Sequence, residues 1–248
     1  MFRAMRATLL SLLVLAGCAH APASASVWVV SAADRTDADR ALDQGRKPAE
    51  LLAFLELKPG MHVAELVAGG GYTTELLARA VGPGGKVYGQ NPKWLLERFA
   101  EAPWTERLQR PVNSNVVRVD RETDDPFPTD VGDLDVVVSY AIYHDTVWQN
   151  SDRGRMNAAV FTALKSGGRY VICDSSAREG SGLEDVQTLH RIDSQIVKTD
   201  VENVGFKLAA EGNFLRNPDD TRDWSASPAE AAGRRGTSDR FCFSFQKP

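Results

Sequence analysis

Residues 63–91, VAELVAGGGYTTELLARAVGPGGKVYGQN, restrict what this chain can fold into more than any other stretch. Met61 to Val67 is an apolar run with a single acidic residue, Glu65, as expected of a parallel strand covered on both faces. Three glycines, Gly69 to Gly71, follow, and residues without Cβ let the backbone take positive φ and approach a ligand closely. The spacing then predicts a helix over Tyr72 to Val81, with Leu76, Leu77, Ala80 and Val81 on one side and Thr73 or Thr74 placed to cap it. Gly82-Pro83-Gly84-Gly85 stops that helix, and Lys86 to Gln90 completes a βαβ unit. A glycine loop at the carboxyl end of the first strand of such a unit reads as a site for a nucleoside cofactor.

Details of the loop separate the cofactor classes. A phosphate-binding P-loop needs Gly-Lys-Ser/Thr after its glycines, whereas Gly71 is followed by Tyr72-Thr73-Thr74. A dinucleotide fingerprint needs a third glycine, where this chain has Thr74, and an acidic residue about 20 positions on; the second strand ends instead in Gln90-Asn91. Glu65 two places before the loop, with Gly69-x-Gly71, resembles motif I of the class I S-adenosylmethionine-dependent methyltransferases. Later segments carry the resemblance through most of the chain. Asn115 to Val119 with Asp120, Leu134 to Ser139, LKSGGRYVICD at 164–174, Phe206 to Glu211 and Arg240 to Gln246 correspond to strands three to seven.

The resemblance implies an α/β fold: a Rossmann-like seven-stranded sheet in the order 3-2-1-4-5-7-6, strand 7 antiparallel, with helices on both faces. It also implies S-adenosylmethionine as cofactor, lined by Glu65, Gly69, Gly71, Tyr72, Asn91, Asp120 and Tyr140. Two positions depart from the family pattern: Val67 stands where the loop usually begins with glycine, and Asn91 where the ribose ligand is usually acidic. GRKPAE, AGGGYTTE, IYHDTVW, TLHRID and FLRNP are similar to a group of exported bacterial proteins described as predicted methyltransferases. In the family's strand order strands five and seven are neighbours, so Cys173 and Cys242 either pair as a disulfide or pack as small buried side chains.

The amino terminus, MFRAMRATLLSLLVLAGC, places Arg3 and Arg6 before a short apolar run and resembles an export signal ending in a lipobox. Lipidation of Cys18 would anchor the protein to the membrane without a transmembrane segment; cleavage within residues 19–25 would instead release it into the periplasm. Ala19 fits sorting to the outer membrane. The expected organisation is signal peptide 1–18, an Ala- and Ser-rich tether 19–33, and a single methyltransferase-like domain 34–248. Without Arg3 and Arg6 the chain carries 27 basic against 33 acidic residues, a formal charge of −6. No basic patch accompanies that charge, so nucleic acid is not expected as a partner.

Within the domain, Asp34 to Lys58 reads as helical, with Pro48 in a first turn and Leu51, Leu52, Phe54 and Leu55 buried. Arg40, Arg46 and Lys47 are expected on a solvated face; the alternative, from related folds whose amino-terminal segment closes over the cofactor, is that one of them meets the cofactor carboxylate. Leu183 to Val197 shows a helical stripe that places His190 and Asp193 on one side, and the polar segment 211–239 has the length of a lid or binding loop. Strand four delivers Tyr140 to Asp145 to the sheet edge where ligands bind in open α/β folds. His144, able to exchange a proton near neutral pH, with Asp145 and His190, forms the candidate catalytic group. A metal reading of His144, Asp145 and His190 is possible on ligand type, but no close His or Cys spacing supports it, so no metal is expected. Three readings follow: methyl transfer to a small or lipid-like acceptor, a non-catalytic exported binding module, and a different His/Asp enzyme on the same fold.

Overall fold

Strands with apolar residues at both odd and even positions have no face to offer water, and here each face finds its own helical layer. In the computed structural model, which describes residues 25–248, the first such strand is β1 (His62–Leu66). It is joined by β2 (Lys86–Asn91), β3 (Val116–Asp120), β4 (Leu134–Tyr140), β5 (Leu164–Ser175), β6 (Lys207–Gly212) and β7 (Arg240–Gln246). The sheet order is β3-β2-β1-β4-β5-β7-β6, with β7 antiparallel to both its neighbours. This is the Rossmann-like topology expected from the sequence.

Alternation along the strands divides the core. Val63, Val87, Val136, Val138 and Val171 pack with Leu51, Leu55, Leu77 and Val81 of α3 (Pro48–Leu55) and α4 (Tyr72–Val81). Ala64, Leu66, Val137, Tyr170 and Ile172 pack on the other face with Met156 and Val160 of α8 (Arg153–Ala163) and Val197 and Val201 of α10 (Ser194–Glu202). The three phenylalanines of β7 join this second face, while Cys242 turns to the first. Cys242 lies directly opposite Cys173 in the β5–β7 ladder, with Cα atoms 4.0 Å apart, and the two form a disulfide.

Local structure departs from the sequence expectations in four places. Residues 25–30, expected as tether, form α1 (Ala25–Val30), whose Val29 is buried against Leu52, Tyr72 and Leu76; residues 1–24, with the signal and Cys18, lie outside the described residues. The helix expected over Asp34 to Lys58 is two, α2 (Asp37–Arg46) and α3, because Lys47 turns left-handed with φ 50°. The helical stripe of Leu183 to Val197 also splits, into α9 (Val186–Leu189) and α10, so His190 and Asp193 do not share a helix face. His190 ends α9 in a left-handed conformation and Asp193 caps α10, accepting from Gln195 N–H. Finally, α4 begins at Gly71 without a side-chain cap, since Thr74 turns its hydroxyl to Glu65 instead.

Two charged clusters lock the connections. Glu75 of α4, almost fully buried, meets Arg79 and Arg107 at 2.8 and 2.7 Å, and also Arg110. Arg191 and Asp220, both wholly buried, pair at 2.8 Å, and Arg191 also lies over the Trp224 ring. That pair, together with a bond from Ala226 N–H to Leu189 O, fastens the long 211–239 segment along α9.

The disulfide closes a loop of 69 residues, for which chain-entropy arguments give about 4 kcal/mol of stabilisation. Reductant is therefore expected to lower the denaturant midpoint substantially. Thiol alkylation followed by intact mass should find Cys173 and Cys242 unreactive until reduction.

Candidate functional site

The carboxyl edge of the sheet carries two groups of residues, one at the end of β1 and one at the ends of β4 and β5. At the first, Val67, Gly69 and Gly71 all have positive φ, 53°, 58° and 80°. For a β-branched residue such as Val67 this is a strained conformation, of the kind that survives where surrounding contacts over-determine it. Here those contacts come from β2. Val67 N–H donates to Gln90 Oε1 at 2.9 Å and Ala68 N–H to Gln90 O at 2.8 Å. Gly69 N–H donates to Asn91 Oδ1 at 2.7 Å, and Asn91 Nδ2 donates back to Gly69 O at 3.1 Å. An amide can do both; a carboxylate, which only accepts, cannot. Asn91 is wholly buried, and its side chain clasps the loop.

Glu65 shares the α4 face of β1 with Val63. Burial pushes its carboxyl up to about 7, against the opposing effects of hydrogen bonds from Thr74 and Thr73 and the nearby charge of Arg46. Gly71 and Gly89 serve packing as well as conformation: a Cβ on either would overlap Trp104, at 2.6 Å from Gly89. Trp104, from α6 (Glu101–Leu108), is completely buried between them. Gly69 differs, because a Cβ there would meet nothing within 4 Å.

The remaining residues expected around a cofactor are placed as follows. Tyr72 donates its hydroxyl to Asp43 at 2.6 Å, and Tyr140 accepts from Arg240 Nη1 at 2.8 Å. The guanidinium of Arg46 lies over both rings, 4.7 Å from the Tyr72 centroid and 5.6 Å from that of Tyr140. Arg46 is thus held at the site rather than on a solvated face, and among the described residues it has no carboxylate ion-pair partner. Asp120 lies at the surface, paired with Arg118 Nε at 2.9 Å.

The second group is built on Asp174 at the end of β5. Its Oδ2 accepts from His144 N–H at 2.8 Å, and its Oδ1 faces His144 Nδ1 at 2.8 Å and accepts from Ser175 N–H at 2.7 Å. Asp174 is fully buried, so it fixes the imidazole at the start of α7 (Tyr143–Trp148) from two directions. The opposite ring atom, His144 Nε2, lies 3.3 Å from Asp145 Oδ1. His190 meets the His144 ring edge-on, with centroids 5.5 Å apart, and stacks on Trp148 at 5.2 Å. The three residues expected to act together do converge, although His190 arrives from a separate helix end.

Burial opposes charge on His144, but the charge and hydrogen bond of Asp174, with Asp145 adding to them, push it up to about 9. That direction carries His144 above the near-neutral range of a free imidazole. Burial raises Asp145, against the charge of His144. Burial and the His144 charge lower His190. Asp174, Trp148 and the placement of Arg46 were missed in the sequence. Asp174 at the end of LKSGGRYVICD offered a signal, being an acidic residue closing an apolar strand at the same edge.

The seven-stranded order and the left-handed glycine loop define a Rossmann-like α/β fold of the kind methyltransferases use. Solved structures share this fold at low identity. A SAM-dependent methyltransferase from Aquifex aeolicus superposes with TM-score 0.58 at 16% identity, over 86% of this chain and all of that one. The precorrin-6y C5,15-methyltransferase of Geobacter metallireducens gives 0.51 at 16%, over 79% and 85%. Aeropyrum pernix fibrillarin, solved with natively bound S-adenosyl-L-methionine, gives 0.50 at 12%, over 76% and 67%. Residues 26–211 match the family model described as protein-L-isoaspartate(D-aspartate) O-methyltransferase (PCMT), and the chain belongs to that family.

Family and structural relatives support S-adenosylmethionine as the cofactor. The residues present fit such a group. The loop turns left-handed at Val67, Gly69 and Gly71, its Gly69 side is unobstructed, and Arg46 would offer a cation to an amino-acid carboxylate.

A carboxyl raised on folding stabilises the native state at low pH and withdraws that contribution as pH rises from about 4.5 through about 7. Glu65→Gln removes the titration. Its stability relative to wild type is expected to rise by about 2 kcal/mol between pH 5 and 8, measured by urea unfolding; a pH-independent difference would refute the assignment.

Proposed function

We propose that this methyltransferase uses S-adenosylmethionine to methylate a small or lipid-like acceptor. The observation that carries the reading is the meeting, at one sheet edge, of the strained glycine loop with the His144, Asp145, Asp174 and His190 group. Val67, Gly69 and Arg46 would hold the cofactor, which when bound supplies an electrophilic methyl group on a sulfonium. The protein's own part is to hold an acceptor atom in line and to receive its proton. Asp174 keeps the His144 ring fixed, and His190, lowered by burial and the His144 charge, stands beside Asp145 as the group suited to take that proton. Trp148, stacked on His190, is a large apolar side chain about two fifths accessible beside this group, which favours an acceptor with an apolar part over a purely polar one.

The family's name points to isoaspartyl carboxyl groups in proteins, and that acceptor is the natural comparison. For the amino terminus we propose export and lipidation at Cys18, with the domain held at the periplasmic face of the outer membrane. No helix among the described residues is long and apolar enough to cross a membrane.

One observation favours a second reading, a binding module without turnover: Asn91, at the position that usually holds ribose hydroxyls, is buried and spent on Gly69. Calorimetry with S-adenosylmethionine and its demethylated product separates the two. Saturable binding of both is expected, and none at millimolar ligand sinks the transferase reading. Labelled-methyl transfer should then favour a lipid extract over an isoaspartyl peptide, the reverse result overturning the acceptor class. His144→Ala is expected to lose turnover while keeping cofactor affinity. Asn91→Asp, although closer to the family pattern, is expected to weaken cofactor binding, because a carboxylate cannot donate to Gly69 O.

A further inference from the structure

The group at the ends of β4 and β5 is also a set of metal donors. One ligand atom from each of His144, Asp145 and His190 lies within 4.8 Å of the other two. Metal–ligand bonds of about 2.0–2.2 Å place neighbouring ligand atoms roughly 3–4 Å apart, so small side-chain rotations close the set. His144 Nε2 and Asp145 Oδ1 are already at 3.3 Å.

What surrounds these donors is what a bound ion requires. A ligating histidine is commonly fixed through its other ring nitrogen by a carboxylate, which sets the tautomer and raises the basicity of the ligating atom. Asp174 does this to His144 Nδ1 at 2.8 Å, and is itself held by the backbone N–H groups of His144 and Ser175. His190 is positioned with equal care. Its φ of 50° is a left-handed conformation for a non-glycine residue. Its ring stacks on Trp148, whose indole is pinned by a 2.9 Å bond to Val186 O. Asp145 and His190 are only partly buried, which leaves a route for an ion.

We infer that His144 Nε2, the Asp145 carboxylate and His190 bind a divalent transition-metal ion, with Asp174 as the positioning carboxylate behind His144; in the metal-loaded protein the ion takes the place of direct proton transfer by these side chains. Two imidazoles and one carboxylate suit zinc, cobalt, iron or manganese rather than calcium or magnesium, which prefer oxygen alone. Three protein ligands leave coordination positions open, as in catalytic rather than structural sites. An oxygen of a hydroxyl or carboxyl compound is the ligand class for such a position. Sequence spacing conceals the set, because His190 lies far along the chain from the adjacent pair and reaches it only through the end of α9.

The test uses the full chain, stripped with chelator and titrated with cobalt(II) chloride and zinc chloride, and does not depend on any methyl transfer. One equivalent is expected to bind, with a visible cobalt absorption band that zinc displaces. His190→Gln and Asp145→Asn should each weaken binding by about tenfold or more, and Asp174→Asn by about 10–100-fold, while circular dichroism shows each variant folded. His62→Gln, at the far end of β1, should leave the affinity unchanged. Absence of saturable binding at sub-millimolar metal overturns the inference, as does an affinity left unchanged by His190→Gln.

Discussion

A sheet buried on both faces has only its edges and ends left for chemistry. The alternation of Val63 with Ala64, of Val136 and Val138 with Val137, and of Val171 with Ile172 commits every central strand to two helical layers. Right-handed crossovers then bring the carboxyl ends of β1, β4 and β5 to one side. Glu65, Tyr140, His144 and Asp174 stand together for that reason, although 109 positions separate the first from the last. The disulfide between Cys173 and Cys242 ties the same edge to the antiparallel strand that closes the fold.

Polar groups at this edge are organised by what each can donate or accept. Asn91 and Gln90 together satisfy three consecutive loop amides and one carbonyl, holding Val67 in a conformation that an isolated chain would avoid. Glu65 and Asp174, both buried acids, differ in their partners. Glu65 meets hydroxyls and is driven toward its neutral form, whereas Asp174 meets an imidazole and two backbone N–H groups. Burial therefore raises the carboxyl under the loop, where hydroxyls answer it, while the second carboxyl is hydrogen-bonded to an imidazole and backbone N–H groups.

Fold and site were legible to different degrees. The apolar strands, the Gly82-to-Gly85 stop and the helix over Tyr72 to Val81 are local patterns, and local patterns survive folding intact. His144 and Asp145 were legible because they follow a strand that had to end at the ligand edge. Asp174 was not, since a lone acid at a strand end declares no partner until the neighbouring strand is known. The break at His190 was hidden because a helical stripe was present on both sides of it, and only the backbone turn reveals two short helices. Arg46 looked solvated because nothing near it in sequence foretells two tyrosines from α4 and β4.

By itself, the sequence determined the doubly covered sheet, its strand order by resemblance, and a glycine loop of the methyltransferase kind, because periodicity and glycine placement act over a few residues. Tertiary structure alone decided that Asn91 clasps the loop, that Cys173 and Cys242 bond, and that two histidines and two aspartates form one cluster. Those outcomes depend on distances between strands and helix ends remote in the chain, and such distances exist only once the sheet has closed.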